Sequence, residues 1–159
     1  MGRTHLFDAE LEYRPGMEPI ATEGEGQLIG SGDGAVRGER LSGRLRWTLF
    51  EQPGELACTM NPILVIATGD GAEVRIEGRG YARRERRDDQ HWQVAATLRF
   101  ETRDRRYGWL DGALGFWEGE FDAATHRARY RAYATVDGAK PIPSARRRIS
   151  IFEYEGGGR

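Results

Sequence analysis

The densest group of chemically active side chains lies between residues 99 and 111, where a charged stretch is followed by two aromatic residues. Its candidates for acid–base chemistry and anion binding are Glu101, Arg106, Tyr107 and Asp111. A carboxylate can exchange a proton with a substrate when burial or a nearby charge shifts its pKa, and a guanidinium can bind an anion. Any catalysis by this chain is therefore expected to use these four side chains.

Aromatic side chains form a second set of candidates, for ligand binding. Tyr107 and Trp109 belong to the same stretch, whereas Trp47 and Trp117 lie on or beside predicted strands. Their flat apolar faces and hydrogen-bonding edges suit an aromatic or polyene ligand. A structural role is also open, because Tyr107, Trp109 and Leu110 can plug one end of a small barrel. Both roles hold together if the plug forms the floor of a pocket.

Metal and covalent chemistry find little support in the sequence. The histidines, His5, His91 and His126, form no H-x-H or H-x₃-H pair, and Cys58 has no C-x-x-C partner. A lone cysteine among apolar residues is usually a packing residue, and no G-x-S-x-G motif marks a nucleophilic serine. We expect neither a metal nor a cofactor.

The charge balance argues against nucleic-acid and membrane partners. The chain has 24 basic and 25 acidic residues and a net charge of −1, so it has no global field that attracts a polyanion. A basic stripe along one predicted strand is explained by cross-strand ion pairs with glutamates of neighbouring strands. The stripe is Arg127, Arg129 and Arg131, and the predicted partners are Glu73, Glu77 and Glu101.

Cysteine use and hydropathy indicate the compartment. A single cysteine is typical of a reducing environment, and Met1–Tyr13 has no apolar core of a signal peptide. No apolar run approaches the ~18 residues of a spanning helix. Lys140 is the only lysine, an arginine bias that a bacterial-like genome rich in GC explains. We predict a cytoplasmic protein.

Alternation of apolar and charged residues recurs along the chain and predicts β-strands. It is clear in blocks 7–13, 44–49, 73–77, 92–101 and 127–134. Successive strand residues point to opposite sides, so each block presents one apolar face and one charged face. About nine such strands predict an all-β fold, and their length favours a closed antiparallel barrel over a sandwich.

Turn residues separate the blocks. Gly69-Asp70-Gly71 predicts a tight hairpin, residues 83–91 a charged loop, and Gly30–Gly34 a glycine-rich loop. Glycine occurs 22 times and leaves little room for helix beyond one turn within residues 103–110.

The chain is predicted to be one domain without an internal boundary. Residues 1–154 form the barrel, with Lys140–Pro143 as a connector and Arg148–Tyr154 as a last strand. Residues 155–159 form a flexible glycine-rich tail.

Three short motifs resemble a known family. They are T-G-D-G-A at Thr68–Ala72, R-F-E-T at Arg99–Thr102 and R-Y-G-W-L-D at Arg106–Asp111. In order and spacing they resemble domain-of-unknown-function family 3237, also called uncharacterised protein family 311. The resemblance implies a calycin-like or allene-oxide-cyclase-like barrel and no established reaction. Asp111 stands where the family usually has Asn, so a family role at that position does not transfer.

Three hypotheses for function remain open. The first is a barrel that binds a small, partly apolar or aromatic molecule. The second is an isomerase, dehydratase or cyclase without a cofactor, using acid and base groups at the barrel mouth. The third is an interaction or oligomer-forming module without a small ligand, which an exposed apolar band such as Ile63–Ile66 would favour.

Overall fold

The computed structural model describes residues 3–14, 20–22, 26–52 and 54–135. The predicted connector Lys140–Pro143, the predicted strand Arg148–Tyr154 and the predicted tail lie outside the described residues. In the described ranges no helix is long and apolar enough to cross a membrane.

Nine strands and one short helix make up most of the described chain. The strands are β1 (Thr4–Tyr13), β2 (Ile20–Thr22), β3 (Gly26–Arg37), β4 (Gly43–Gln52), β5 (Ala57–Thr68), β6 (Glu73–Arg83), β7 (His91–Thr102), β8 (Leu114–Asp122) and β9 (Arg127–Thr135). A 3₁₀ helix at Arg105–Leu110 connects β7 to β8, within the segment predicted to hold one helical turn. The all-β prediction with little helix is confirmed.

The strands close into an antiparallel barrel. Their order is β1-β9-β8-β7-β6-β5-β4-β3-β2, and β1 also pairs with β3, so eight strands form the ring and β2 adds to β3. The closing pair joins Asp8–Tyr13 to residues 32–37. Closure gives each ring strand two partners and removes the exposed edges that strands of 9 to 12 residues would otherwise present. The prediction of a closed antiparallel barrel is confirmed.

Alternating strand residues fill the barrel interior. Large aromatic side chains there lie in register with small residues on the neighbouring strands. The register pairs are Trp47 with Gly32, Trp117 with Ala132 and Ala96, and Tyr130 with Gly119. This alternation of large and small side chains is how a small barrel packs its core. Trp117, Phe7 and Phe100 are among the largest fully buried side chains.

The glycine-rich segment Gly30–Gly34 belongs to strand β3, and the prediction of a loop there is wrong. These glycines make room for neighbours instead of making a turn. A Cβ on Gly32 would lie 2.6 Å from Cζ2 of Trp47 and would also collide with the backbone oxygen of Glu12. Glycine therefore allows the indole ring and the neighbouring backbone of β1 to approach closely.

The basic stripe of β9 is charge-paired, but with other strands than predicted. On β1, Glu12, Glu10 and Asp8 face Arg127, Arg129 and Arg131; on β8 the facing residues are Asp122, Glu120 and Glu118. Arg127 lies 3.2 Å from Glu12. The predicted partners are wrong because Glu73, Glu77 and Glu101 lie on β6 and β7, which do not adjoin β9.

The two ends of the barrel differ. At the first, called the 3₁₀ end, the 3₁₀ helix meets the β5–β6 turn at residues 69–72, and Leu110 is completely buried. At the opposite end, called the Tyr13 end, β1 finishes at Tyr13 and the loops 84–90 and 123–126 connect their strands. The candidate residues divide between these two ends.

Candidate functional site

The β5–β6 turn at the 3₁₀ end holds Asp70 in a fixed position. The amide of Ala72 donates to the Thr68 hydroxyl at 2.9 Å, and that hydroxyl donates to the Asp70 carboxylate at 2.5 Å. Gly71 has a φ of 87°, which a glycine adopts without strain. The predicted hairpin turn at Gly69-Asp70-Gly71 therefore holds the Asp70 carboxylate in place.

Arg106 joins this turn to the start of the 3₁₀ helix. Its Nε and Nη2 donate to the two carboxylate oxygens of Asp104 at 3.0 and 2.8 Å. The Nη2 atom also donates to the backbone oxygen of Asp70 at 3.0 Å, and Nη1 lies 3.3 Å from the Asp70 carboxylate. Asp104 in turn caps the helix by accepting from the Arg106 amide at 3.0 Å.

Tyr107 and Thr102 complete the network. The Tyr107 hydroxyl lies 3.0 and 3.1 Å from the carboxylate oxygens of Asp70. The Thr102 hydroxyl accepts from the Asp104 amide at 3.1 Å and donates to the backbone oxygen of Glu73 at 2.9 Å. The three motifs that resemble family 3237 thus meet in one hydrogen-bonded cluster.

These contacts keep both carboxylates ionised. Hydrogen bonds from the side chain and backbone of Arg106 lower the pKa of Asp104 to about 2. Hydrogen bonds from Thr68 and Tyr107, with the charge of Arg106, lower the pKa of Asp70. The contact with Asp104 raises the pKa of Arg106. The carboxylates therefore act as hydrogen-bond acceptors near neutral pH, and the cluster braces the 3₁₀ helix against the β5–β6 turn.

The remaining acid–base candidates are Asp111 and Glu101. Asp111 follows the 3₁₀ helix and donates its amide to the oxygen of Gly108 at 3.0 Å. Glu101 lies in register with Arg75 on β6, on the half-exposed outer side of β7. The structure thus brings Arg106 and Tyr107 together in the cluster, whereas Glu101 lies on β7 and Asp111 is the C-cap of the 3₁₀ helix.

Trp109 packs on the core from outside the interior. It is partly buried, and the guanidinium of Arg40 stacks over its ring at 3.8 Å from the centroid. Together with Tyr107 and Leu110 it covers the 3₁₀ end, which corresponds to the plug interpretation of these residues.

Trp47 and Trp117 line a small cavity inside the barrel together with Tyr13 and Tyr130. The Trp117 ring stacks on Tyr130 with centroids 4.2 Å apart and planes inclined by 19°. The Tyr13 ring lies 4.2 Å from Trp47 and 4.4 Å from Phe121. The cavity volume is about 10 Å³, which is room for roughly one water molecule.

Only some polar atoms of this aromatic cluster have hydrogen-bond partners among the described residues. Burial raises the pKa of Tyr130, whose hydroxyl is hydrogen-bonded to Tyr13. The indole nitrogens of Trp47 and Trp117 are buried, and neither has a hydrogen-bond partner among the described residues. The residues are only 3% and 2% exposed, so neither N–H group reaches bulk solvent.

The structure therefore divides the four aromatic candidates into two pairs. Tyr107 and Trp109 cover the 3₁₀ end, whereas Trp47 and Trp117 line the interior cavity with Tyr13 and Tyr130, which are not among the predicted site residues. The sequence does indicate that both tyrosines face inward, since Tyr13 and Tyr130 occupy apolar positions of alternating blocks. Asp70 and Asp104 were also missed as members of a cluster, although an aspartate before a helical turn indicates a cap.

Among the described residues, no group of three or more histidine, cysteine, aspartate and glutamate side chains could hold a metal ion. Cys58 is buried on β5.

Comparison with solved structures identifies the architecture. A conserved protein of unknown function from Rhodopseudomonas palustris is 20% identical with a TM-score of 0.66, over 84% of this chain and 96% of that chain. A beta-barrel like protein from Acinetobacter baumannii is 16% identical with a TM-score of 0.62, over 84% and 96%. An enzyme from Penicillium herquei is 18% identical with a TM-score of 0.54, over 83% and 93%. The shared feature is the fold.

No protein-family model matches the chain, and no curated protein matches it in sequence. The resemblance to family 3237 stays a prediction.

Proposed function

We propose that this protein binds a small, partly apolar or aromatic molecule inside the barrel at the Tyr13 end. The observation that carries the proposal is the pair of buried indole N–H groups on Trp47 and Trp117, two residues that line one cavity. Neither group has a hydrogen-bond partner in the part of the chain that the structure describes. A few polar groups in an otherwise apolar and aromatic wall are typical of small-molecule sites.

The energetics of the two N–H groups support a ligand. A buried donor without an acceptor costs about 1–3 kcal/mol, and buried tryptophans usually find a partner for their N–H. A barrel core built only for stability would gain by pairing these donors. A ligand oxygen in the cavity would recover that free energy on binding.

Tyr13 is the side chain that must move to admit a ligand. The cavity of about 10 Å³ is smaller than any aromatic ring. Tyr13 is half-buried at the end of β1 and covers the cavity through its contacts with Trp47 and Phe121. Such ring contacts are worth about 0.5–1.5 kcal/mol each, and a ligand ring in the same position would replace them.

The meeting of the three motifs in one cluster supports the proposal that this chain belongs to family 3237 and has a calycin-like barrel.

We also propose that this protein forms homo-oligomers, because Ile63 and Val65 of the predicted apolar band face outward and are half-buried. Size-exclusion chromatography with light scattering tests this proposal. Leu64 and Ile66 of the same band are buried in the interior.

The alternative of a cofactor-independent enzyme has weaker support. Arg106 and Asp70 have side chains 51% and 46% exposed, and they are engaged with each other, with Asp104 and with Tyr107. General acid–base groups work best when they are free to face a substrate away from bulk water. One similar structure is described as an enzyme, and at 18% identity that likeness extends to the fold alone.

The test of ligand binding uses the four tryptophans as probes. A library of one- and two-ring compounds is added at millimolar concentration to the ¹⁵N-labelled protein, and the indole N–H signals are followed by NMR. A ligand in the cavity shifts the signals of Trp47 and Trp117. Trp92 and Trp109, which lie beneath Arg84 and Arg40, are the internal controls. The proposal is wrong if no compound shifts the first pair in the folded protein.

A further inference from the structure

Two of the residues that line the cavity at the Tyr13 end, Trp47 and Trp117, carry buried hydrogen-bond donors. An indole N–H only donates, and Trp47 and Trp117 each bring one such group that has no partner in the described part of the chain. A phenol pair, Tyr13 with Tyr130, lies in the same wall and is already joined by a hydrogen bond. The unmet requirement of this wall is an acceptor.

The cavity wall also disfavours a charged ligand. None of the ten described residues that line the cavity carries a formal charge. A carboxylate bound there would be buried without a cation, and an ammonium would face donors instead of acceptors. The favoured acceptor is therefore neutral.

The aromatic side chains of the wall favour an aromatic molecule. Trp117 and Tyr130 stack with planes inclined by 19°, and the Tyr13 ring closes the cavity from the end of β1. Offset stacking on these rings rewards an aromatic ligand, whereas a bulky aliphatic one would lose that contact.

Resting on the proposed function, we infer that the ligand is a neutral aromatic carbonyl compound, such as an aryl ketone, aldehyde or quinone. Its carbonyl oxygen accepts from the indole N–H groups of Trp47 and Trp117. Tyr13 is a positioning residue, which moves aside and packs on the bound ring.

The experiment compares four ligands of similar size on the full chain. Acetophenone carries the carbonyl, 1-phenylethanol a hydroxyl, benzoate a charged carboxylate, and ethylbenzene no polar group. Dissociation constants are measured by NMR titration of the indole signals. We expect acetophenone to bind roughly threefold to tenfold more tightly than ethylbenzene, which corresponds to one neutral hydrogen bond. Benzoate is expected to bind most weakly.

Variants identify the donors. Trp47→Phe and Trp117→Phe remove an N–H group and keep an aromatic ring, so each should weaken acetophenone binding and leave ethylbenzene binding nearly unchanged. Trp92→Phe is the matched control, because its indole lies outside the cavity under Arg84.

The outcomes separate this inference from the proposed function. If ethylbenzene or benzoate binds as tightly as acetophenone, the carbonyl assignment is wrong while ligand binding stands. The same conclusion follows if the folded Trp→Phe variants bind acetophenone like the unmodified protein. If none of the four ligands binds and the library also gives no shift, the proposed function fails and the inference fails with it. The ligand comparison needs no variant, so it decides the question even if both substitutions unfold the barrel.

Discussion

The hydroxyl of Tyr107 lies 3.0 and 3.1 Å from the two carboxylate oxygens of Asp70, a residue 37 positions earlier in the chain. This contact fastens the 3₁₀ helix to the β5–β6 turn and joins two motifs that are separate in the sequence. Asp70 also receives the Thr68 hydroxyl and lies beside Arg106, so one carboxylate holds three side chains at this end of the barrel.

Removing either partner should loosen the 3₁₀ end. Tyr107→Phe and Asp70→Asn are each expected to lower the melting temperature, and the double variant should lose less than the sum of the two, because both remove the same contact. Tyr81→Phe is the matched control, since Tyr81 is 70% exposed and its substitution should have no effect. Additive losses in thermal unfolding would show that the two residues act independently.

The Asp104–Arg106 contact predicts a defined acid sensitivity. The pKa of Asp104 is lowered from 3.8 to about 2 in the folded protein. Its contribution to stability is therefore complete above 3.8 and is lost as the pH falls through about 2. Asp104→Asn should melt at a lower temperature than the unmodified protein at neutral pH, and the difference should shrink towards pH 2.

The control for this titration is Asp88→Asn, in an exposed loop with its side chain 84% accessible. That variant should follow the unmodified protein across the whole pH range. A gap for Asp104→Asn that stays constant down to about pH 2 would contradict the role given to the ionised carboxylate.

Trp109 should contribute less to stability than a fully buried ring. Trp109→Ala is expected to lower the free energy of unfolding by about 2 kcal/mol, since the ring is partly buried and stacks under Arg40. Phe100→Ala, at 1% exposure, should cost about 3–5 kcal/mol. Urea denaturation measures both, and an equal or larger loss for Trp109→Ala would place that ring in the core.

Gly32 should tolerate no side chain. Gly32→Ala places a methyl group 2.6 Å from the Trp47 ring and against the Glu12 backbone, so it should destabilise by more than ~1 kcal/mol. Gly69→Ala is the matched control, because a Cβ there meets nothing within 4 Å. Similar denaturation midpoints for the two variants would mean that β3 shifts away from β1 without cost.

Local patterns predicted the strands and their two faces. In β7 the predicted inward residues from Val94 to Phe100 are buried and the residues between them are exposed, whereas Trp92, predicted on the same face, is half-buried. The same rule failed for Gly30–Gly34, because a run of glycines is typical of loops and only contact with Trp47 and β1 explains its place in a strand. Composition alone does not distinguish a flexible glycine from one that makes room for a ring.

The candidate site was only partly predictable, because some of its contacts depend on the tertiary structure. The residue types between Arg106 and Asp111 predict a site, and Arg106 and Tyr107 of this stretch do join one cluster at a barrel end. Its partners Asp70 and Asp104 were not selected, because one lies in a distant turn and the other caps a helix whose position depends on the barrel.

The sequence by itself determined that this chain is all-β, which side chains face inward and where most turns fall, since these follow from the period of two along a strand. The tertiary structure alone decided which strands are neighbours. Closure through the β1–β3 pair sets β9 between β1 and β8, gives the arginines of β9 their acidic partners, and brings Trp47 of β4 to the same cavity as Trp117 of β8. Such neighbours depend on the register and number of strands around the ring, which no local pattern encodes.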